Sequence, residues 1–477
     1  MPARAAVPLV LALAAAAMAW MAVYQVDDAF IVYRYAWNLA HGAGFVFNPG
    51  ERVEGVTCFL WTLALAPFSL AGPVLPRVAP VLTALCGLGV LLLVFKRSGS
   101  LAAMILLATM PAFLYWSVGA LETVPFTLLV AAAIGDHARE VEDEARFPRS
   151  AVWLGLATLT RPETPVIAAA LALDRLARRR RDLAAWAGIL LAFVVPFLLF
   201  RRLYFGDWLP NTYYAKTGGP VAGRLALGAD YVAQAAASLV PAFGATGPIV
   251  TIAGVALVTV LLVLAWRGRR FRAEALVVAA VAAACVFEGG DWMTLQRLAV
   301  PALPALAAIG AAALPRRRAA ATAIVALFAV SGLAAAARER NGPRGLAVNA
   351  EGYRHAHLEV ARAIAERARP GDLVALMDVG MIGWRLRDQR ILDITGLTDR
   401  RIAHAPGGFL AKSYPASEVL GRDPRFLVLV PRFLLDERIH GDPSFASRYR
   451  FLLSENHRFN WTPASSYELH LFERTAP

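Results

Sequence analysis

The feature that most constrains this chain is a succession of long apolar runs separated by short clusters of arginine. The 477 residues are 58% hydrophobic, with a mean hydropathy of +0.52. Such a composition is too apolar for a water-soluble protein and predicts many membrane spans. The net charge of +13 is spread between the apolar runs. This distribution indicates membrane topology and argues against nucleic-acid binding.

The arginine clusters set the expected topology. The first apolar run, residues 7–24, is interpreted as a retained span that leaves the cytoplasm, although a signal peptide is the alternative. Placing every cluster in the cytoplasm gives about eleven spans, the last ending at residue 337. The run Phe59–Ala71 is too short to cross and is expected to lie in the interface. The run 151–172 is expected to form two short helices, broken at residues 160–163.

Two domains follow from this pattern. Residues 1–337 are predicted to be a membrane domain with a first outer loop at 25–77. Residues 338–477 are predicted to form a soluble α/β domain on the outer face. In that part a helix is expected at 353–368, and the expected strands are 373–377, 390–392, 426–430 and 467–472. The chain is therefore predicted to be a polytopic α-helical membrane protein with a C-terminal periplasmic or extracellular α/β domain.

The polar segments that could carry chemistry all fall on the predicted outer face. They are residues 25–57, 117–122, 160–163, 201–220 and 288–297. A transporter would be expected to place its polar groups near the bilayer midplane, often in repeated halves, and the sequence shows no internal repeat. The pattern favours a membrane enzyme whose active site lies at the outer surface.

The acidic pair Asp27 and Asp28 follows the first apolar run directly. One aspartate could simply cap the next helix, which is expected to run to His41. Capping does not explain two carboxylates beside the bilayer. A carboxylate near lipid has a raised proton affinity, which suits a general base. Asp27 and Asp28 are therefore the candidate catalytic residues.

Three further outer segments supply candidate binding residues. Glu122 is either a charge at a helix start or a substrate ligand. Arg161 and Glu163 either pair with each other or bind substrate. Arg297 either binds a phosphate or merely flanks a span. Near it, the Gly-Gly pair at 289–290 allows a close approach of the backbone to a ligand, and Asp291 and Trp292 follow that pair.

The segment 204–216 combines aromatic rings, amides and one of only three lysines in the chain. Tyr204, Asp207 and Asn211 are candidate substrate-binding residues, although aromatic rings are common at membrane surfaces. Lys216 is a candidate phosphate ligand. In the C-terminal domain, Asp378 and Asp393 follow predicted strands, where either a ligand site or a simple turn is expected.

Five motifs together resemble a known family of bacterial membrane enzymes. The motifs are DDAFIVYRYA at 27–36, FNPGERVEG at 47–55, TRPE at 160–163, YFGDWLPNTYYAK at 204–216 and DITGLTD at 393–399. With them the chain resembles the GT-C superfamily of glycosyltransferases. Within it, the chain resembles the mycobacterial terminal β-(1→2)-arabinofuranosyltransferases and their relatives. The likeness extends over nearly the whole chain.

The resemblance implies a polyprenyl-phosphate sugar donor, a cell-envelope glycan acceptor, an active site on the outer face and inversion at the anomeric carbon. It implies a base in the first outer loop, usually the first residue of such a pair, which is Asp27. Because phosphate is a good leaving group, cations are needed rather than an acid, and Lys216, Arg161 and Arg297 are the candidates. A divalent metal is possible but not required. The expected location is the bacterial inner membrane, with the N-terminus in the cytoplasm.

The sugar stays open because Thr57-Cys58 stands where the relatives commonly have Thr-Asn or Ser-Asn. The absence of a Trp-Trp-Asp motif argues against transfer to protein asparagine. The alternatives are a polyprenyl-phosphate mannosyl- or aminoarabinose-type transferase acting on lipid or protein, and a non-enzymatic transporter of lipid-linked sugars.

The topology predicts which positions a membrane-impermeant thiol reagent can reach in intact cells. In a variant without the native cysteines, a cysteine near residue 215 or 400 should be labelled, and one near residue 180 or 270 should be protected. Labelling of permeabilised cells controls for buried positions. The reverse pattern would overturn the topology and, with it, the assignment of all polar segments to one face.

Overall fold

The computed structural model describes residues 3–142, 147–178, 181–343, 345–431, 433–458 and 466–475. The chain forms two compact units that alternate along the sequence. The helical unit consists of Met1–Ala22, Ala79–Phe197 and Pro220–Arg340, and the mixed unit consists of Val23–Val78, Leu198–Gly219 and Asn341–Pro477. The two-domain division near residue 338 stays a prediction. By packing, the first predicted outer loop belongs with the C-terminal sheet.

The helices begin and end as follows: α1 Val7–Met21, α2 Asp27–Ala40, α3 Phe59–Leu65, α4 Leu75–Ser98, α5 Leu101–Ala108, α6 Pro111–Trp116, α7 Thr123–Glu142, α8 Arg149–Thr158, α9 Thr164–Ala177, α10 Leu183–Tyr204, α11 Asn211–Lys216, α12 Val221–Ala237, α13 Pro248–Gly268, α14 Arg272–Glu288, α15 Leu303–Ala312, α16 Arg318–Asn341, α17 Leu346–Ala365, α18 Val379–Arg385, α19 Arg400–Ala403, α20 Ser417–Leu420, α21 Leu434–His440 and α22 Pro443–Arg448. The strands are β1 Leu373–Leu376, β2 Arg390–Asp393, β3 Phe426–Leu429, β4 Tyr449–Arg458 and β5 Ser466–Arg474.

Five stretches of the described residues are helical, long and apolar enough to cross a membrane. They are Arg4–Met21, Leu75–Ser98, Leu183–Tyr204, Pro248–Gly268 and Arg318–Ala365, the last of which contains α16. Phe59–Ala71 is a shorter apolar helix, as expected for an interfacial segment. The total of about eleven spans stays a prediction. Residues 143–146 and 179–180, which belong to two predicted cytoplasmic loops, lie outside the described residues.

Prolines explain where the apolar runs break. The predicted break in the run 151–172 is present, because α8 ends at Thr158 and α9 begins at Thr164. The apolar run 101–116 is also broken and forms the two helices α5 and α6. Met110 precedes Pro111 and is extended, with φ −73° and ψ 124°, since a residue before proline avoids the helical conformation.

Around these breaks, α7, α8, α9, α12, α14 and α15 enclose the main apolar core of the helical unit. Sequence analysis had assigned no element to α12. Buried residues on it include Gly228, where an added Cβ would lie 2.4 Å from the backbone oxygen of Val286. Such close backbone contact needs glycine at that position, so α12 packs directly against α14.

The mixed unit contains a five-stranded sheet in the order β2-β1-β3-β5-β4. β1 pairs in parallel with β2 and β3, whereas β5 pairs antiparallel with β3 and β4. β3 is buried along its whole length. Four of the strands coincide with predicted ones. β4 was missed because it lies at the edge, where polar and charged residues interrupt the apolar pattern.

Arg34 of α2 fastens the first loop to the sheet domain. Its side chain is fully buried and donates to four main-chain carbonyl oxygens. The acceptors are Phe47 at 2.8 Å, Gly383 at 2.6 Å, Leu386 at 3.1 Å and Gln389 at 2.8 Å. A buried guanidinium is tolerated only when its N–H groups are satisfied. Arg34 therefore acts as a structural link within the mixed unit.

Two further motif residues extend this link. Asn48 pairs with the backbone of Ile391 in β2, donating to its oxygen at 2.7 Å and accepting from its nitrogen at 3.0 Å. Glu54 forms a buried, bidentate ion pair with Arg201, with distances of 2.6 and 3.0 Å. The FNPGERVEG motif thus contributes contacts that hold the mixed unit together.

Asp27 makes the contact that joins α2 to α18. Its Oδ2 accepts from the N–H of Gly380 at 2.7 Å, and its Oδ1 accepts from the N–H of Met381 at 2.7 Å. The alternative reading, in which one aspartate caps its own helix, does not hold, because Val26 is the N-cap of α2 and makes no side-chain bond. Asp27 caps a different helix, whose first N–H groups lack partners within the helix.

Gly380 is required for this contact. A Cβ added at Gly380 would lie 2.0 Å from the backbone oxygen of Asp27 and 2.5 Å from its Oδ2. Gly380→Ala should therefore force α2 and α18 apart and cost about 1–3 kcal/mol of stability. We expect a lower apparent Tm in detergent.

Gly188→Ala in α10 is the matched control, since a Cβ there would meet nothing within 4 Å. An unchanged Tm for Gly380→Ala would show that the Asp27 contact is looser than described.

Candidate active site

The acidic pair lies at the start of α2, and its two residues differ in exposure. The Asp27 side chain is buried, with 6% of the residue exposed, whereas Asp28 is half-buried. Burial and the neighbouring Asp378 raise the pKa of Asp27 to about 7, although His357 and the N–H of Met381 act in the opposite direction. Asp27 is therefore a buried carboxyl group with a raised pKa, and its two hydrogen bonds to α18 hold it in place.

Asp378, a predicted substrate ligand, follows β1 and joins a polar network. Its Oδ2 accepts from the hydroxyl of Tyr467 at 2.6 Å and lies 3.0 Å from Nε2 of His357. The His357 ring stacks on Tyr353 with a centroid distance of 4.2 Å. Sequence analysis missed His357 and Tyr467. The available signal was a histidine on the apolar face of the helix expected at 353–368.

Asp393 and Asn211, two other predicted ligands, form hydrogen bonds with main-chain groups of the mixed unit. Asp393 is fully buried, and its carboxylate accepts from the N–H groups of Thr395 and Thr398, both at 2.8 Å. Asn211 Nδ2 donates to the carbonyl oxygens of Gly396 at 2.7 Å and Leu397 at 2.9 Å. The DITGLTD motif is thus a tight turn held by Asp393 and fixed to α11 by Asn211.

Lys216, at the end of α11, is exposed. Its ammonium lies 5.6 Å from the centroid of the Phe409 ring. Lys412, by contrast, is buried and donates to the carbonyl oxygens of Tyr214 at 2.7 Å and Thr217 at 3.2 Å. Lys412 therefore holds the main chain on either side of Lys216 by hydrogen bonds, while the Lys216 side chain itself is exposed.

The other predicted ligands of segment 204–216 have internal contacts. The hydroxyl of Tyr204 accepts from the N–H of Phe45 at 3.1 Å. Asp207 forms an ion pair with Arg400 at 3.0 Å and lies 3.8 Å from His404. These two residues support the shape of the segment, and Lys216 remains its outward-facing cation.

In the helical unit, Arg161 sits in the break between α8 and α9. Its guanidinium donates to Glu122 at 2.6 Å and, through Nε, to both carboxylate oxygens of Glu163 at 2.8 and 3.0 Å. All three side chains are buried. Of the two interpretations of Arg161 and Glu163, the structure contains the ion pair between them. Glu122 also pairs with Arg161.

Arg297 forms an ion pair with Asp291 at 2.6 Å. A cavity of about 10 Å³, room for roughly one water, lies among Arg161, Glu163, Glu288 and Arg297. Trp292 is 41% exposed and does not line it.

With Glu122 and Asp291, the cluster around this cavity holds four carboxylates and two guanidiniums, so its formal charge is 2 − 4 = −2. An incoming phosphate would have to compete with these carboxylates for both arginines. Their role as phosphate ligands stays a prediction.

Among the described residues, no three His, Cys, Asp or Glu side chains are grouped so that they could hold a metal ion.

Three comparisons with known proteins place this geometry in context. Residues 346–472 match a family described as a domain of unknown function, DUF8728. No curated protein matches the chain in sequence. Two solved structures of ArnT from Cupriavidus metallidurans match it in fold.

The apo form of ArnT has a TM-score of 0.58 at 13% identity over 99% of this chain and 98% of ArnT. The form bound to undecaprenyl phosphate has a TM-score of 0.59 at 14% identity over 98% of this chain and 97% of ArnT. ArnT is a polytopic membrane protein of the GT-C type. The prediction of a GT-C-type helical membrane fold with a small C-terminal α/β domain is confirmed, and the chain has this fold over nearly its whole length.

Proposed function

We propose that this protein is a GT-C-type glycosyltransferase that moves a sugar from a polyprenyl-phosphate donor to a glycan of the cell envelope. The observation that carries the proposal is the likeness to ArnT over 97–99% of both chains, one form of which binds undecaprenyl phosphate. The sequence motifs support the same superfamily. The outer face of the bacterial inner membrane is the proposed place of reaction.

The geometry supports Asp28 as the general base. Both oxygens of Asp27 accept main-chain N–H bonds, and Asp27 is almost fully buried. A base must reach the proton that it removes. The half-buried Asp28 meets this requirement better, although the family resemblance favoured Asp27. We assign Asp27 a positioning role, because it fixes the first turn of α2, which carries Asp28.

In the proposed reaction, Asp28 takes the proton from an acceptor hydroxyl. The hydroxyl oxygen attacks the anomeric carbon on the face opposite the phosphate, and the bond from that carbon to the phosphate oxygen breaks. The polyprenyl phosphate leaves with the bonding electron pair, so the anomeric configuration is inverted. Lys216 stabilises the negative charge on the departing phosphate. No proton donor is needed for such a leaving group.

The proposed sugar is arabinofuranose, on the strength of the five motifs. The ArnT-like fold is equally compatible with an aminoarabinose-type donor, and the Thr57-Cys58 step leaves this point to experiment. The competing class is a non-enzymatic transporter of lipid-linked sugars, which would bind the same donors without releasing product.

The two aspartates can be separated by substitution. Asp28→Asn should lower kcat by about 10²–10⁴-fold, because it removes the proposed base. It should lower the apparent Tm less than Asp27→Asn does, because both N–H bonds described at the start of α18 go to Asp27. Asp27→Asn should lower the Tm, since one oxygen that accepts an N–H bond becomes an amide donor, at a cost of about 1–3 kcal/mol. Its activity should fall less than that of Asp28→Asn.

The measurement is product formation by the purified protein from a panel of polyprenyl-phosphate sugars, detected by mass spectrometry. Full activity of Asp28→Asn together with an inactive, normally stable Asp27→Asn would reverse the assignment. Donor binding without product from any sugar of the panel would favour the transporter.

Lys216 provides a second test of the proposed reaction. If its ammonium stabilises the departing phosphate, Lys216→Ala should lose about 2–4 kcal/mol of transition-state stabilisation, a loss of roughly 30- to 1000-fold in rate. Lys216→Arg should keep part of the activity, because the charge remains while the geometry changes.

Arg202→Ala is the matched control, since Arg202 is another exposed cation of the same predicted outer segment. If Lys216→Ala turns over within about twofold of wild type, the lysine merely reaches toward lipid headgroups.

A further inference from the structure

A second cavity lies in the helical unit, and none of the residues proposed for catalysis lines it. It has a volume of about 350 Å³ and lies among the end of α4, the end of α7 and the start of α8. The charged groups that line it are Lys96, Arg97, Asp136, Arg139, Glu142 and Arg149. The arginine distribution predicts this end to be cytoplasmic, the side opposite the proposed active site.

The lining carries an excess of positive charge. The lining holds four cations and two carboxylates, and Glu274 pairs with Arg97 at 2.7 Å, so the formal charge is 4 − 3 = +1. Asp136 is engaged by Arg139 and by Trp153, whose Nε1 donates to it at 2.7 Å. The side chains of Lys96 and Arg149 are exposed at the cavity. An anion entering this space would therefore meet two accessible cations and no excess of negative charge.

The walls of the cavity are held by buried polar contacts. Glu140 of α7 accepts from the N–H and the hydroxyl of Ser150 in α8, at 2.8 and 2.6 Å, and pairs with the fully buried Arg175. The indole of Trp186 donates to the same hydroxyl at 2.9 Å. These contacts link the end of α7 to the start of α8 and restrain both. The cavity is thus preformed, which lowers the cost of binding.

The surroundings favour a lipid over a soluble anion. α4 lies within a stretch long and apolar enough to cross the membrane. Leu93, one turn before Arg97, lines the cavity, and the neighbouring Leu92 is 45% exposed. A headgroup phosphate held by Lys96 and Arg149 would leave its acyl chains beside the apolar surface of α4. Basic pockets between membrane helices are suited to anionic headgroups.

We propose that this cavity binds the phosphate headgroup of an anionic phospholipid of the surrounding membrane, with Lys96 and Arg149 as its main contacts. The site is separate from the donor site and does not depend on the sugar-transfer reaction. Bound lipid would connect α4, α7 and α8 at one end of the helical unit.

The test uses native mass spectrometry of the purified, delipidated full-length protein, with phosphatidylglycerol as the anionic probe and phosphatidylcholine as the zwitterionic one. Wild type should bind phosphatidylglycerol more tightly than phosphatidylcholine. The double variant Lys96→Gln, Arg149→Gln should lose about 25-fold in affinity for phosphatidylglycerol, at about fivefold for each cation removed. The charge-retaining variant Lys96→Arg, Arg149→Lys should keep most of the affinity.

The matched control is Arg316→Gln, Arg317→Gln, which removes two exposed cations of the same predicted face outside the cavity. It should bind phosphatidylglycerol as wild type does. Equal affinity of the Lys96 and Arg149 double variant and wild type would overturn the proposal, as would equal binding of the two lipids. Displacement of phosphatidylglycerol by low millimolar inorganic phosphate would also overturn it, because the site would then belong to a soluble anion.

Discussion

The contact between Asp27 and the start of α18 is the interaction on which the mixed unit depends. α18 begins inside a buried environment, where its first N–H groups would otherwise lack acceptors, and each such group costs free energy comparable to a lost hydrogen bond. Asp27 satisfies two of them, one through each carboxyl oxygen. Because Asp27 is the first residue of α2, a segment 353 positions earlier in the sequence determines where α18 lies.

Buried charged side chains elsewhere in the mixed unit also have hydrogen-bond or ion-pair partners. Arg34 donates to carbonyl oxygens, and Glu54 pairs with Arg201 in a bidentate contact. A buried ion pair adds little net stability over an apolar replacement, but removal of one partner alone is costly. Such contacts therefore select one arrangement of the loop, α10 and the sheet domain. Four of the five motifs that define the family resemblance contribute to this arrangement, and the fifth, TRPE, supplies the buried Arg161 cluster.

Much of the architecture could be predicted from the sequence, because it depends on local patterns. The apolar runs and arginine clusters located many of the helices, the polar residues 160–163 located the break between α8 and α9, and short apolar runs located four strands. The failures share a physical cause. The role of Asp27 depends on a helix far along the chain, and β4 is an edge strand with a mixed pattern. α12 packs against α14 through the close backbone contact at Gly228, which the sequence pattern did not reveal. Hydrogen bonds between residues far apart in the sequence cannot be predicted from the spacing of residues within one segment.

The acidic pair shows how one motif can carry both structure and chemistry. Adjacent residues of an α-helix point about 100° apart, since the helix has 3.6 residues per turn. When Asp27 is directed at the N–H groups of α18, Asp28 must point elsewhere, and the rigid contact of the first fixes the direction of the second. A catalytic carboxylate benefits from such fixing, because misplacement by about 1 Å costs roughly 10²-fold in rate. Asp27 thus supplies the anchor for Asp28, the proposed proton acceptor, and each residue of the pair has its own task in the proposed reaction.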